Sequence, residues 1–319
     1  MHPIEQEAKT FQALLAKYPK ITVLSHINPD PDAIGTALGV YSWLKEQQYT
    51  VEVVNATEDI PLFLDFLPSF SKIKRKMDFE DSLIISCDCG SVDRLGFSVE
   101  GRIIVNIDHH ATNKQFGLLN IVDKEAVSSS EVAYRLLKTL HPVSRESAIS
   151  FYAALISDTR NFTTNNMHRS TFDLASELTS LGVDIAEVSR KMLHRRSLAS
   201  LRILGVALHS LVLREDAQVA LLTISQEDLK RTGAKLSDLD GVVDYAKSLA
   251  TVEIALMLVE REQGIKVSLR SKRVDISTLA LSFGGGGHAV AGGFEREGDT
   301  VEILSQLLLD EIKKKGLLS

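Results

Sequence analysis

The sequence predicts an α/β protein, with a mainly parallel sheet in its first part and a smaller α+β domain behind it. Three observations predict this. Short apolar, β-branched runs alternate with helical patterns over the first 160 residues, as in successive βαβ units. Three of those runs end abruptly on a histidine or an aspartate, where open α/β sheets place their ligands. After residue 213 the pattern changes to strands joined by a hairpin-like link at residues 260–264 and followed by a terminal helix.

In chain order, residues 1–20 carry an amphipathic helical pattern with Glu5, Glu7, Lys9 and Lys17, which lacks the apolar core of a signal peptide. Residues 21–24 form a buried strand ending at His26. A helix follows from about Ala33, with Asp30 as N-cap and Pro31 in its first turn. Residues 51–55, 82–87, 102–107 and 118–122 are further strands, and residues 60–70 are loop and short helix. Helices cover residues 129–140 and 145–156, then two more between 169 and 193, the second capped by Asp184. A basic helical stretch with Arg190, Lys191, Arg195, Arg196 and Arg202 connects the two halves. Strands at 218–223, 252–259 and 265–270 and helices at 236–249, 275–281 and 301–314 complete the chain. The domains are thus 1–195, a linker helix 196–213, and 214–319.

The composition, 44% hydrophobic and 24% charged, is that of an ordinary soluble globular protein, and no apolar run reaches membrane-spanning length. The absence of a signal peptide favours the cytoplasm. The cysteines, Cys87 and Cys89, flank Asp88; they read as small buried residues on one face of a strand. A net charge of −6 argues against a long nucleic-acid partner, but not against a short anionic substrate held by local cations.

The strand ends carry the chemistry. His26, Asp30 and Asp32 lie in one strand-to-helix turn, Asp88 ends a second strand, and Asp108, His109 and His110 end a third. One aspartate before a helix is an ordinary cap. Several carboxylates meeting at one sheet edge repel one another unless a cation sits among them. Imidazole with carboxylate suits a first-row divalent ion, manganese ahead of magnesium. Asp158 joins them only if its helix returns to that edge. Near the C-terminus, Gly284 to Gly287 precede His288, and Gly292 and Gly293 follow; glycine lets backbone N–H groups approach a ligand. Arg270, Lys272 and Arg273 lie just before.

These motifs, in this order, resemble the DHH phosphoesterase superfamily with its DHHA1 domain, and the layout is similar to the nanoRNase group, NrnA-type oligoribonucleases that also act as pAp phosphatases. The resemblance implies a dimanganese centre, with Mg2+ or Co2+ as substitutes. His26, Asp30 and Asp88 would bind one ion, and Asp32, Asp88, His109 and Asp158 the other. It also implies that His110 contacts the substrate phosphate, that Asp108 orients the histidines, and that Arg270 and His288 hold the substrate's phosphate or terminal nucleotide; Gly286 and Gly287, by the backbone approach they allow, are substrate-binding candidates beside them. Arg160 stands where relatives often have glycine, and either touches substrate or faces solvent.

The expected reaction is two-metal hydrolysis of very short RNA to nucleoside monophosphates, with 3′-phosphoadenosine 5′-phosphate (pAp) as a second substrate. A phosphodiesterase for linear or cyclic dinucleotides is an enzymatic alternative. A nucleotide-sensing module without turnover is another, disfavoured by the complete ligand set. A homodimer is left open, and no membrane partner is expected.

Overall fold

The computed structural model describes residues 3–58 and 60–318. The chain divides into two compact units, Met1–Arg195 and Arg196–Ser319.

The first unit opens with helix α1 (Pro3–Lys17) and is built on strands β1 (Lys20–Ser25), β2 (Thr50–Val54), β3 (Ile73–Lys74), β4 (Leu83–Cys87), β5 (Ile104–Asp108) and β6 (Leu119–Val122). They form one sheet in the order β3-β2-β1-β4-β5-β6, and each neighbouring pair is parallel. Both faces are covered, which is why these strands read as continuous apolar runs. Val23, Ile85 and Val105 enter the larger core, while Leu24, Ile84 and Ile104 enter a second core on the other face. Strand order reverses direction between β1 and β4, which makes their carboxyl ends the switch point of the sheet.

Register does the rest. Ser25 is level with Cys87, and Cys87 with Ile107. His26, Asp88 and Asp108 therefore stand in one row at the carboxyl edge.

Helices α2 (Pro31–Glu46), α3 (Ser129–Lys138), α4 (Arg145–Asp158), α5 (Arg169–Ser180) and α6 (Ile185–His194) complete the unit. Asp30 caps α2, with Pro31 in its first turn, and Asp184 caps α6. Gly35 and Gly39 lie one turn apart where α2 meets α4. A Cβ on Gly35 would sit 2.6 Å from the Ser150 carbonyl oxygen, and one on Gly39 2.3 Å from the Phe151 ring. This close approach brings Asp158, the last residue of α4, to the first turn of α2.

The two cysteines do not share a face. Asp88, between them, has a left-handed backbone (φ +53°), so strand alternation stops there. Cys87 packs in the larger core and Cys89 in the core on the opposite side.

The second unit holds α7 (Leu198–His209), β7 (Val212–Arg214), β8 (Val219–Ile224), α8 (Gln226–Thr232), α9 (Val242–Lys247), β9 (Ile254–Arg261), β10 (Gly264–Ser271), α10 (Ser277–Ser282), β11 (Gly286–His288), β12 (Ala291–Arg296) and α11 (Val301–Lys314). Its sheet runs β11-β12-β10-β9-β8-β7. The β8–β9 pair is parallel and the others are antiparallel. The basic stretch is not one helix: Arg190 and Lys191 lie in α6, Arg195 pairs with Asp65 between helices, and α7 sends Ile203 and Ala207 into the second unit's core.

The helix expected at 236–249 is broken. A 3-10 turn at Leu236–Leu239 precedes α9, and Gly241 at φ +73° separates them. Helix α8 was not expected, although its capping box is legible: Asp228 N–H donates to Ser225 Oγ, and Ser225 N–H to Asp228 Oδ2, both at 3.1 Å. The glycine-rich stretch, to which the sequence assigns no element, forms strands β11 and β12, with Gly286 opposite Gly293.

Replacing Gly39 by Ala forces a methyl group against Phe151. The expected cost is about 1–3 kcal/mol, seen as a Tm several degrees lower by calorimetry. Trimming Phe151 to Leu in the same chain should restore part of the loss.

Candidate metal centre

The strand ends carry the first donors. His26 lies just past β1 and is buried; its Nδ1 is 2.8 Å from the Ile27 carbonyl oxygen. Its Nε2 is 3.5 Å from Asp88 Oδ2 and 3.9 Å from Asp30 Oδ2. Asp30 does two things at once. Oδ1 accepts from the Ala33 N–H (2.9 Å) to cap α2, which leaves Oδ2 facing His26.

Asp32 is fully buried at the start of α2. Its Oδ1 accepts from Thr36 Oγ1 (2.9 Å) and the Ser130 N–H (3.3 Å), and its Oδ2 from the Ser129 N–H (2.7 Å). The N-terminus of α3 thus points its free N–H groups and the positive end of its dipole at this carboxylate. The Ser129 hydroxyl donates to Asp88 Oδ1 (2.8 Å).

The dipeptide after β5 splits in two directions. His109 Nδ1 lies 3.2 Å from the Ala126 carbonyl oxygen, which can only accept, so that nitrogen carries a proton and Nε2 is the atom turned toward the carboxylates. Nε2 lies 3.3 Å from Asp158 Oδ2, 3.8 Å from Asp88 Oδ1 and 3.9 Å from Asp32 Oδ2. His110 Nδ1 instead meets Asp108 Oδ1 at 2.7 Å and Asp88 Oδ1 at 3.6 Å. Asp108 is fully buried, and its Oδ2 accepts from Asn113 Nδ2.

The donor atoms fall into three overlapping groups: His26, Asp30 and Asp88; Asp32, His109 and Asp158; and Asp88, His109 and His110, each within 4.8 Å. Asp88 turns one oxygen to His26 and the other to His109 and His110. Such sets of carboxylate oxygens and imidazole nitrogens can hold a divalent cation.

The electrostatics fit a cation. Burial by itself lowers the His26 pKa, yet the Asp30 and Asp88 carboxylates beside it raise it to about 10. For His109, burial is likewise overcome, by the hydrogen bond to Asp158 and by the nearby carboxylates, which raise it to about 11. Burial raises Asp158 to about 6, against the pull of His109. Asp32 is pushed well above the carboxylate range by burial and then by Asp88. Carboxylates packed so densely that they draw protons onto their histidines are a strong field for a positive ion.

The other expected residues lie outside these groups. Arg160 is exposed on the turn after α4 and begins a left-handed run with Asn161 and Phe162 (φ +46°, +58° and +62°). Arg270, on β10, donates through Nη1 to the Leu269 carbonyl (2.9 Å), and its Nε lies 3.9 Å from Asp244 Oδ2. Gly286 and Gly287 belong to β11; the His288 side chain lies outside the described residues. Lys272 Nζ donates to the Leu249 and Ala250 carbonyls, and Arg273 pairs with Glu253.

Sequence reasoning missed Ser129, Ser130, Asn113 and Arg94. For the serines a signal exists: Ser128-Ser129-Ser130-Glu131 is a helix-start pattern whose N–H groups seek an anion. Asn113 reads like any turn residue. Arg94, whose Nη2 lies 3.0 Å from His26 Nδ1, sits on a 3-10 turn with no distinguishing pattern.

The N-terminal domain model of the DHH family matches residues 20–159, and the DHHA1 domain model matches residues 216–314. The bifunctional oligoribonuclease and PAP phosphatase NrnA of Thermus thermophilus is 29% identical over 304 residues, covering 92% of this chain and 90% of the relative. The Bacillus subtilis protein of the same name is 27% identical over 285 residues, covering 88% and 90%. The crystal structure of an exopolyphosphatase-related protein from Bacteroides fragilis superimposes with a TM-score of 0.89 at 29% identity, over 97% of each chain. With the two domain models matched in succession, and the acids and imidazoles of the first gathered at one sheet edge, the chain belongs to the DHH family and carries a DHHA1 domain behind its DHH domain.

Proposed function

We propose that this chain is a metal-dependent phosphoesterase that hydrolyses very short oligoribonucleotides to nucleoside monophosphates and pAp to AMP. The observation that carries the reading is the position of Asp88, whose two oxygens face two separate donor groups. The full-length similarity to NrnA proteins, named for both activities, supports the choice of substrates.

In this reading His26, Asp30 and Asp88 hold one divalent ion, and Asp32, Asp88, His109 and Asp158 hold a second, with Mn2+ preferred for its tolerance of mixed nitrogen and oxygen donors. Bound there, such ions lower the pKa of a water molecule and offset charge on the phosphoryl oxygens. The chain's own residues supply the rest. His110 has its pKa lowered by burial but raised on balance by its hydrogen bond to Asp108, so its ring is poised to donate to a phosphoryl oxygen. Asp108, fixed by Asn113, holds that ring in place. In the second unit, Arg270, His288, Gly286 and Gly287 are the proposed nucleotide contacts, with Arg160 as a further one in the first unit.

Wild-type protein should melt at a higher temperature with Mn2+ than with chelator, because an ion that binds only the folded state stabilises it. Asp88→Asn keeps a residue tolerant of the left-handed backbone but should lose that rise. Its hydrolysis should drop by more than the ~10–100-fold typical of losing an outer hydrogen-bond partner.

With Mn2+, a ladder of two- to ten-nucleotide RNAs should be cleaved best at its short end, and pAp should yield AMP. Turnover of cyclic di-AMP alone would sink the assignment in favour of a dinucleotide phosphodiesterase. Binding of all these compounds without turnover would favour a sensing module.

A further inference from the structure

We infer that Arg94 is a substrate contact of this site, presenting its guanidinium to a phosphoryl oxygen of the phosphate ester; this rests on the phosphoesterase reading above. The argument starts from hydrogen-bond valence at His26. Nδ1 of that ring faces the Ile27 carbonyl oxygen at 2.8 Å and Arg94 Nη2 at 3.0 Å. A carbonyl only accepts and a guanidinium only donates. One ring nitrogen offers either a proton or a lone pair, so it satisfies one of these neighbours and never both. Whenever Nε2, which faces Asp30 and Asp88, acts as a ligand, Nδ1 carries the proton, and the Ile27 carbonyl takes it. Arg94 then has no acceptor on that ring. Its charge is permanent, so it seeks another acceptor close by.

The backbone holds Arg94 in place for this. The Ile27 N–H donates to the Arg94 carbonyl (2.8 Å), and the Arg94 N–H donates to the Ser91 carbonyl (3.2 Å). The next residue, Leu95, is fully buried. Gly96 follows at φ +73°, packed so closely that a Cβ there would lie 2.5 Å from Ile27 Cγ2. The turn is therefore fixed to the segment after β1, and only the half-buried side chain of Arg94 is left to move. A planar fork of N–H donors beside a group of ligands matches two oxygens of a phosphate. A positioning role for His26 alone makes the opposite prediction, because losing it would weaken metal binding.

The test uses the full-length chain with Arg94→Met, which removes charge and fork, and Arg94→Lys, which keeps charge only. Mn2+ affinity is measured by calorimetry, KM and kcat are measured with pAp, and AMP binding is measured on the Mn2+-loaded protein. Arg94→Met should leave Mn2+ affinity within about twofold while raising KM and weakening AMP binding by about tenfold or more, the size of one charge-assisted hydrogen bond. Arg94→Lys should fall between. Loss of Mn2+ affinity with KM unchanged would overturn the inference in favour of a positioning role, and no change in either would overturn it outright. If wild-type protein turns over no phosphate ester, the phosphoesterase reading fails instead, and AMP binding still decides the role of Arg94.

Discussion

Mutual repulsion among Asp30, Asp32, Asp88, Asp108 and Asp158 is the constraint around which the first unit is arranged. Gathering these carboxylates at one edge of a sheet is unfavourable unless each finds donors or a positive charge. The fold supplies both. Helix α3 aims its first N–H groups at Asp32, the Ser129 hydroxyl reaches Asp88, and Asn113 reaches Asp108. His26, His109 and His110 fill the spaces between. What these contacts leave open is a set of oxygens and ring nitrogens converging from several sides, which is the requirement for gripping a small hard cation.

The core and the site are linked through one helix crossing. Asp158 stands far from the other acids in sequence and comes from a helix end rather than a strand end. It arrives because Gly35 and Gly39 give α2 a flat side on which Ser150, Phe151 and Ala154 of α4 can press. Packing between two buried helices thus sets the position of a charged group at their shared end. That makes the geometry of the donors sensitive to volume changes more than one helical turn away.

Much of this was legible because period and position coincide. The runs that end at His26, Asp88 and Asp108 are strands buried on both faces, and parallel pairing allows their ends to fall level. Asp158 could not be placed from its own surroundings, since it depends on glycines more than a hundred residues earlier; the Gly35 and Gly39 spacing was the available clue. The opposed faces of Cys87 and Cys89 were hidden by the backbone of Asp88, a left-handed aspartate that no periodicity reveals. Gly241 broke a helix whose apolar spacing looked continuous. Strands β11 and β12 escaped notice because a glycine ladder is held by backbone groups, with no side-chain alternation to read.

The charges of the second unit, and the paired histidines of the first, show how far residue type falls short of role. Lys272 and Arg273 are cations just before the glycine-rich stretch, yet one anchors the carbonyls of Leu249 and Ala250 and the other holds Glu253. His109 and His110 are neighbours with rings 4.8 Å apart, and they differ in what their Nδ1 atoms meet. A carbonyl behind His109 fixes the proton there and leaves Nε2 among carboxylates, which suits a ligand. Behind His110 stands the Asp108 carboxylate, which accepts from Nδ1 at 2.7 Å. The same side chain, repeated in adjacent positions, is therefore turned to two different surroundings by the atom that stands behind it.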